Sequence, residues 1–218
     1  MFNKYFFRKA FIYVLGLFVI ALGVNLSIAV PLGVAPVNSL PYTVSMISGI
    51  DIGVCVTIVF TIFVFLQFLV LRKDFKIVSC LQILSSIIFG YLVNLTSILI
   101  ANVQFPDNYF IELFVVIISA LLVGLGVYLY IYTGFIPLST EGLAAAIVQK
   151  TGFKFGNAKI LIDTSFATIS IILSLVFLHG FYGIREGTII TALLVGTFIK
   201  FFTSQLDKPL GKFMDVHR

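Results

Sequence analysis

Tryptophan is absent from this 218-residue chain, and charge is scarce: Asp, Glu, Lys and Arg together make up 11% of it. An ordinary soluble domain carries roughly 25% charged residues, so this sequence holds too few polar groups to cover a globular surface. Without Trp, any aromatic belt at a membrane interface has to be drawn largely from the nine Tyr residues. Histidine occurs twice, at His179 and His217, and cysteine twice, at Cys55 and Cys80. The two cysteines fall in different predicted helices near opposite faces of a membrane, where they can neither pair nor make a metal site by themselves. There is no Walker loop, no HExxH and no GxSxG. The expectation is a protein that is not an enzyme, with no cofactor and no metal centre.

Apolar length is what the chain has in abundance. Hydrophobic residues make up 60% and mean hydropathy is +1.15, so the lipid bilayer is the expected solvent and partner. The net charge of +5 is spread between apolar runs rather than gathered in a patch, which argues against nucleic acid. Six spans follow, at about 10–31, 54–71, 77–101, 110–133, 157–179 and 186–205. They must be helical, because lipid offers backbone amides no partner. The first run, Ala10 to Val30, is long enough at about 1.5 Å per residue to cross a ~30 Å hydrocarbon core, so it reads as a retained helix rather than a signal peptide. Placing the N-terminus inside puts thirteen of the fourteen Lys and Arg residues on the cytoplasmic side and only Arg185 outside. Both termini are then cytoplasmic.

The sequence also repeats itself. A shift of 103 positions lays Gly23, Val24, Leu26 and Ile28 on Gly126, Val127, Leu129 and Ile131, and puts Leu40, Gly49 and Gly53 on Leu143, Gly152 and Gly156. A shift of 106 lays Gln82–Gly90 over Thr188–Gly196. Each copy holds three spans, an odd number, so the second must enter the membrane from the opposite face. Asp51 aligning with Lys154 agrees, since the lysine copy is the one expected to face the cytoplasm. The predicted fold is a single all-α membrane domain over 1–218, built from two inverted three-helix repeats at about 10–101 and 110–205.

Between the first and second span of each copy lies a segment too long for a tight turn, Pro31 to Gly53 and Gly134 to Gly156. Each opens on Pro/Gly breakers, offers N-cap candidates (Asn38 or Ser39; Ser139 or Thr140) and ends at glycine. A short helix is expected in each, either re-entrant or lying at the interface, outer in copy one and inner in copy two.

Glu141, with its repeat-mate Asn38 and the adjacent Ser39, heads the candidate substrate-binding set. A carboxylate there either caps the helix dipole or binds a cation or proton where two helix N-termini converge. Asp163 falls inside the fifth span, where an ionisable residue faces an aqueous cavity or a partner; Lys159, four residues earlier, is the simplest partner. Arg185 and Glu186 open the sixth span, either as a surface ion pair or as the lining of an outer vestibule. His179 reads as interfacial. Gln82, Ser85, Ser86 and Asn94 of the third span, and Thr188, Thr191 and Thr197 of the sixth, form polar stripes that either bond between helices or line a central path. Gln82 and Thr188 complete the candidate set.

The runs GVAPVNSLPYTVSMISGIDIG, PLSTEGLAAAIVQKTGFKFGNAKILID and REGTIITALLVG resemble the YitT/YczE-type bacterial multipass membrane proteins. That resemblance spans most of the chain. It implies a six-helix protein of the bacterial cytoplasmic (inner) membrane associated with transport, and it marks Glu141, Asp163 and Glu186 as positions to test. The expected function is a small-solute secondary transporter or facilitator with a central site between the repeats, with or without a coupling proton or cation. A substrate-binding subunit of an ATP-driven uptake system and a non-transporting scaffold or assembly factor are the alternatives. A homo-oligomer is compatible with either.

Overall fold

Long apolar stretches satisfy their backbone groups internally by winding into helices, and here they do so without exception. A computed structural model describes residues 4–214. It places eight α-helices in the order α1 (Lys4–Ile28), α2 (Pro36–Ser48), α3 (Ile52–Leu71), α4 (Leu81–Ile100), α5 (Tyr109–Tyr132), α6 (Ser139–Thr151), α7 (Phe155–Leu178) and α8 (Glu186–Met214), with no strand among the described residues. The six long helices are each long and apolar enough to cross a membrane. This is an all-α multipass membrane protein. The main departures from the expected spans are at the ends: α1 begins at Lys4 and α8 continues to Met214. His217 and Arg218 lie outside the described residues.

The two short helices form where expected but start differently. Their N-caps are Ala35 and Leu138, and neither makes a side-chain capping bond. Asn38, Ser39, Ser139 and Thr140 therefore lie within the first turns and are not caps. In α2 the reason is Pro36, whose fixed φ and missing N–H suit the first helical position and start the helix earlier. The other ends match each other closely: Gly49 (φ 70°, ψ 8°) and Gly152 (φ 71°, ψ 9°) both take the left-handed conformation that favours glycine. In each short helix the first half is buried and the last residues are exposed. Each runs from the interior of the bundle out to its surface.

Helices α1 and α5 cross closely at its centre. Gly16 meets the backbone of Gly126, and Gly23 meets Ser119, whose hydroxyl donates to the Gly23 carbonyl at 2.8 Å. The 103-residue shift turns the first of these contacts into the second. Each short helix packs on the neighbouring copy, α2 against α7 and α6 against α3. Ser170 of α7 donates to the Ser39 carbonyl at 3.2 Å, and its repeat-mate Gln67 of α3 donates to the Ser139 carbonyl at 3.1 Å. An aromatic stack fills the centre, with Phe63 on Phe166 at 4.2 Å and Phe60 on Phe89 at 5.7 Å between ring centroids.

Two helix pairs that the duplication makes equivalent are built unalike. α3 and α4 pack along their length, whereas α7 and α8 scarcely touch. α8 is held instead by α5 and by its own ends. Near its start the Gly187 amide donates to the Leu32 carbonyl at 2.8 Å; near its far end Tyr128 and Tyr132 donate to the Asp207 carboxylate and carbonyl at 3.0 and 3.1 Å. Between these anchors its middle turns face a cavity.

Candidate functional site

That cavity measures about 310 Å³, at the small end of the range of roughly 300–1,000 Å³ seen for ligand pockets. Its walls come from the middle of α1, α3, α4 and α5, from one face of α7, from α8, and from the first turns of both short helices. Two helix N-termini thus reach a common interior space, each contributing a partial positive charge of about half a unit. Asn38 and Glu141 sit at the third residue of α2 and α6, so one repeat position supplies an amide and the other a carboxylate.

Glu141 Oε2 accepts a hydrogen bond from Thr140 Oγ1 at 2.7 Å. Among the described residues no basic side chain pairs with it. A helix N-terminus stabilises a nearby carboxylate by about 0.3–1 kcal/mol, or ~2 when partly buried. Asn38 is only 3% exposed, lines the same cavity, and its Oδ1 is buried without a hydrogen-bond partner. Such an orphaned acceptor usually costs 1–3 kcal/mol unless something fills it. Among the described residues, Tyr130 Oη and Ser139 Oγ are the other buried side-chain polar atoms without a hydrogen-bond partner. Of these three residues only Asn38 lines the cavity.

Asp163 lines the cavity together with Lys159, which donates to its carboxylate at 2.6 Å. Asp163 is thus ion-paired and also lines the shared space. The pair is about a quarter exposed at its side chains (29% and 27%), so it stands at the mouth rather than the floor. The rest of the wall is apolar, with Phe60, Phe89, Val123 and Val127 prominent.

The remaining candidates lie elsewhere. Ser39 is fully buried and donates to the Pro36 carbonyl at 2.6 Å. Gln82 accepts from Gln67 at 2.8 Å and presses on Gly142 of α6, which makes it a tie between helices. Thr188 packs on Gly33 in the first turn of α8, where its Oγ1 accepts from the Arg185 amide at 3.3 Å. Arg185 and Glu186 form an exposed ion pair at 3.0 Å there, and Arg185 Nη1 also donates to the Pro31 carbonyl at 2.5 Å. Arg185 borders a second hollow of about 360 Å³ at that end, bounded by the α1–α2 and α7–α8 connections. His179 caps α7 at φ 55°. Among the described residues no cluster of His, Cys, Asp and Glu could hold a metal ion.

Gln67 was not singled out in the sequence. A signal existed: it is the one amide in a 20-residue apolar helix, and the 103-residue shift lays it on Ser170. Lys150, at the exposed end of α6, bonds Asp74 in the α3–α4 connection at 2.6 Å. The basic connections of the two copies therefore share one end of the bundle.

The chain belongs to a family of unknown function, DUF6198, whose profile matches residues 7–204. No curated protein and no solved structure matches it.

Proposed function

We propose that this protein is a small-solute secondary transporter or facilitator, with one site where two inverted three-helix repeats meet. The observation that carries this reading is the convergence of the α2 and α6 N-termini, with repeat-mates Asn38 and Glu141, on one cavity in the middle of the bundle. Half-helices that start at mid-depth and point their N-termini at a common space are how inverted-repeat carriers hold a polar solute. The exchange of contacts between α1 and α5 under the repeat shift supports a pseudo-two-fold axis in the membrane plane. Thirteen of fourteen basic residues on one side support cytoplasmic termini, and the likeness to YitT/YczE-type proteins supports the bacterial cytoplasmic membrane.

The unequal helix pairs supply a gate for alternating access. In this reading the α7–α8 gap is the open route to the site, and the packed α3–α4 pair is the shape the gap takes when shut. Glu141 binds the coupling proton or cation, or the solute's own positive group.

A ligand screen by thermal shift in detergent, using amines, quaternary ammonium ions, amino acids and carboxylates, tests the site. The expected result is a stabiliser whose effect Glu141→Gln removes, and whose uptake into proteoliposomes the same change abolishes. A stabiliser with no uptake, together with co-purification of a coupling protein and an ATPase, replaces this reading with a capture subunit. If nothing in the panel stabilises the protein, the scaffold reading stands in its place.

A further inference from the structure

The charge in the cavity has a sign. Glu141 is a carboxylate that accepts from Thr140 and, among the described residues, pairs with no cation, while the Asn38 side-chain amide makes no hydrogen bond. The other two charges at the cavity, Lys159 and Asp163, neutralise each other at 2.6 Å. One negative charge is left over, so the balance calls for one positive charge carrying hydrogen-bond donors. An ammonium group offers three donors and no acceptor. The rest of the wall is apolar, and the stacked rings of Phe60 and Phe89 are suited to lie against a hydrocarbon body or the edge of a cation. A bare inorganic ion would leave that wall unused, and a dication would lack a second unpaired carboxylate.

Resting on the solute-site reading above, we infer that the cavity takes a monoamine: a primary ammonium head with a short apolar body. The head bonds Glu141, and the body lies along Phe60, Phe89, Val123 and Val127. The space between α7 and α8 admits such an amphiphile from the side, so the apolar part need not cross a polar vestibule.

The test uses the full-length protein in detergent and a matched set of probes: n-hexylamine, n-hexanol, hexanoate and sodium chloride. Hexylamine is expected to stabilise the wild type at millimolar concentration, where the other three do not. Glu141→Gln should weaken its apparent affinity at least tenfold. Asn38→Asp, which mirrors Glu141 at the repeat-mate position, should strengthen it severalfold and admit 1,6-hexanediamine. Asp74→Asn, at the exposed Lys150 pair, serves as a control and should leave the hexylamine effect intact. Stabilisation by hexanoate or hexanol that Glu141→Gln abolishes overturns the amine class and leaves the site standing. A hexylamine effect that survives both Glu141→Gln and Asn38→Asp unchanged, or no effect on the wild type, overturns the inference outright. Both variants preserve side-chain size, so a folded preparation of at least one is expected, and either decides the question.

Discussion

The α3–α4 and α7–α8 pairs hold equivalent places in the duplicated sequence, and one is a sealed seam while the other is a gap. At the first, Gly53 and Gly90 lie so close that a Cβ on either would overlap the other's backbone. Asn94 Oδ1 accepts from the Gly53 amide at 2.7 Å, and Thr57 Oγ1 donates to the Ser86 carbonyl at 3.4 Å. At the second, the repeat-mates Gly156 and Gly196 face open space. The same shifts replace Thr57 with Ile160 and Asn94 with Lys200. The glycines that permit close approach are kept in both copies, while the polar groups that hold it are present in one. Glycine therefore makes contact possible, and interhelical hydrogen bonds decide whether it persists. The middle of α8 rests on α5, with Gly124 against Phe198 and Val195, and the side of α8 that faces α7 is the part left open.

Locking the gap is expected to have the largest effect. In a Cys55→Ala/Cys80→Ala background, Gly156→Cys with Gly196→Cys should form a disulfide on mild oxidation and abolish ligand-induced stabilisation, which returns on reduction. Failure of the pair to cross-link under any condition would show that the two seams do not share a closed form. Gly90→Val comes next: it should destabilise the protein by about 3 kcal/mol, the upper part of the usual range for overpacking, seen as a lowered thermal midpoint in detergent. Gln67→Leu should cost about 1–2 kcal/mol, because interhelical bonds in membranes rarely contribute more, and Ser170→Ala at the equivalent place should cost less, since Ser170 also shares a 2.7 Å bond with Thr43, which can rebond. Gly196→Ala is the smallest change and has the opposite sign. With nothing near its Cβ, it should stabilise by roughly 0.5–1 kcal/mol through helix propensity alone. A Gly196→Ala as damaging as Gly90→Val would mean that the gap is normally closed.

Much of this was readable along the chain. The six spans follow from apolar length, and the short helices from the breakers before them and the glycines after them. The repeat pairs Asn38 with Glu141. The cap assignments failed because Pro36 starts α2 three residues before the polar candidates could serve. Gln82 looked equally suited to a path or a tie between helices, because a polar stripe shows only which face it lies on. Its true partner, Gln67, is on another helix, and local periodicity carries no information about that choice.

Hydropathy, charge placement and the 103-residue repeat act locally or on the chain compared with itself, so the sequence alone was enough to determine a duplicated six-helix membrane protein. Which polar groups meet was decided by contacts between residues far apart in the chain. Packing brings Asn38 and Glu141 to a single cavity and ties Gln82 to Gln67. It also closes one seam and leaves its counterpart open, because a few hydrogen bonds outweigh the symmetry that the glycines share.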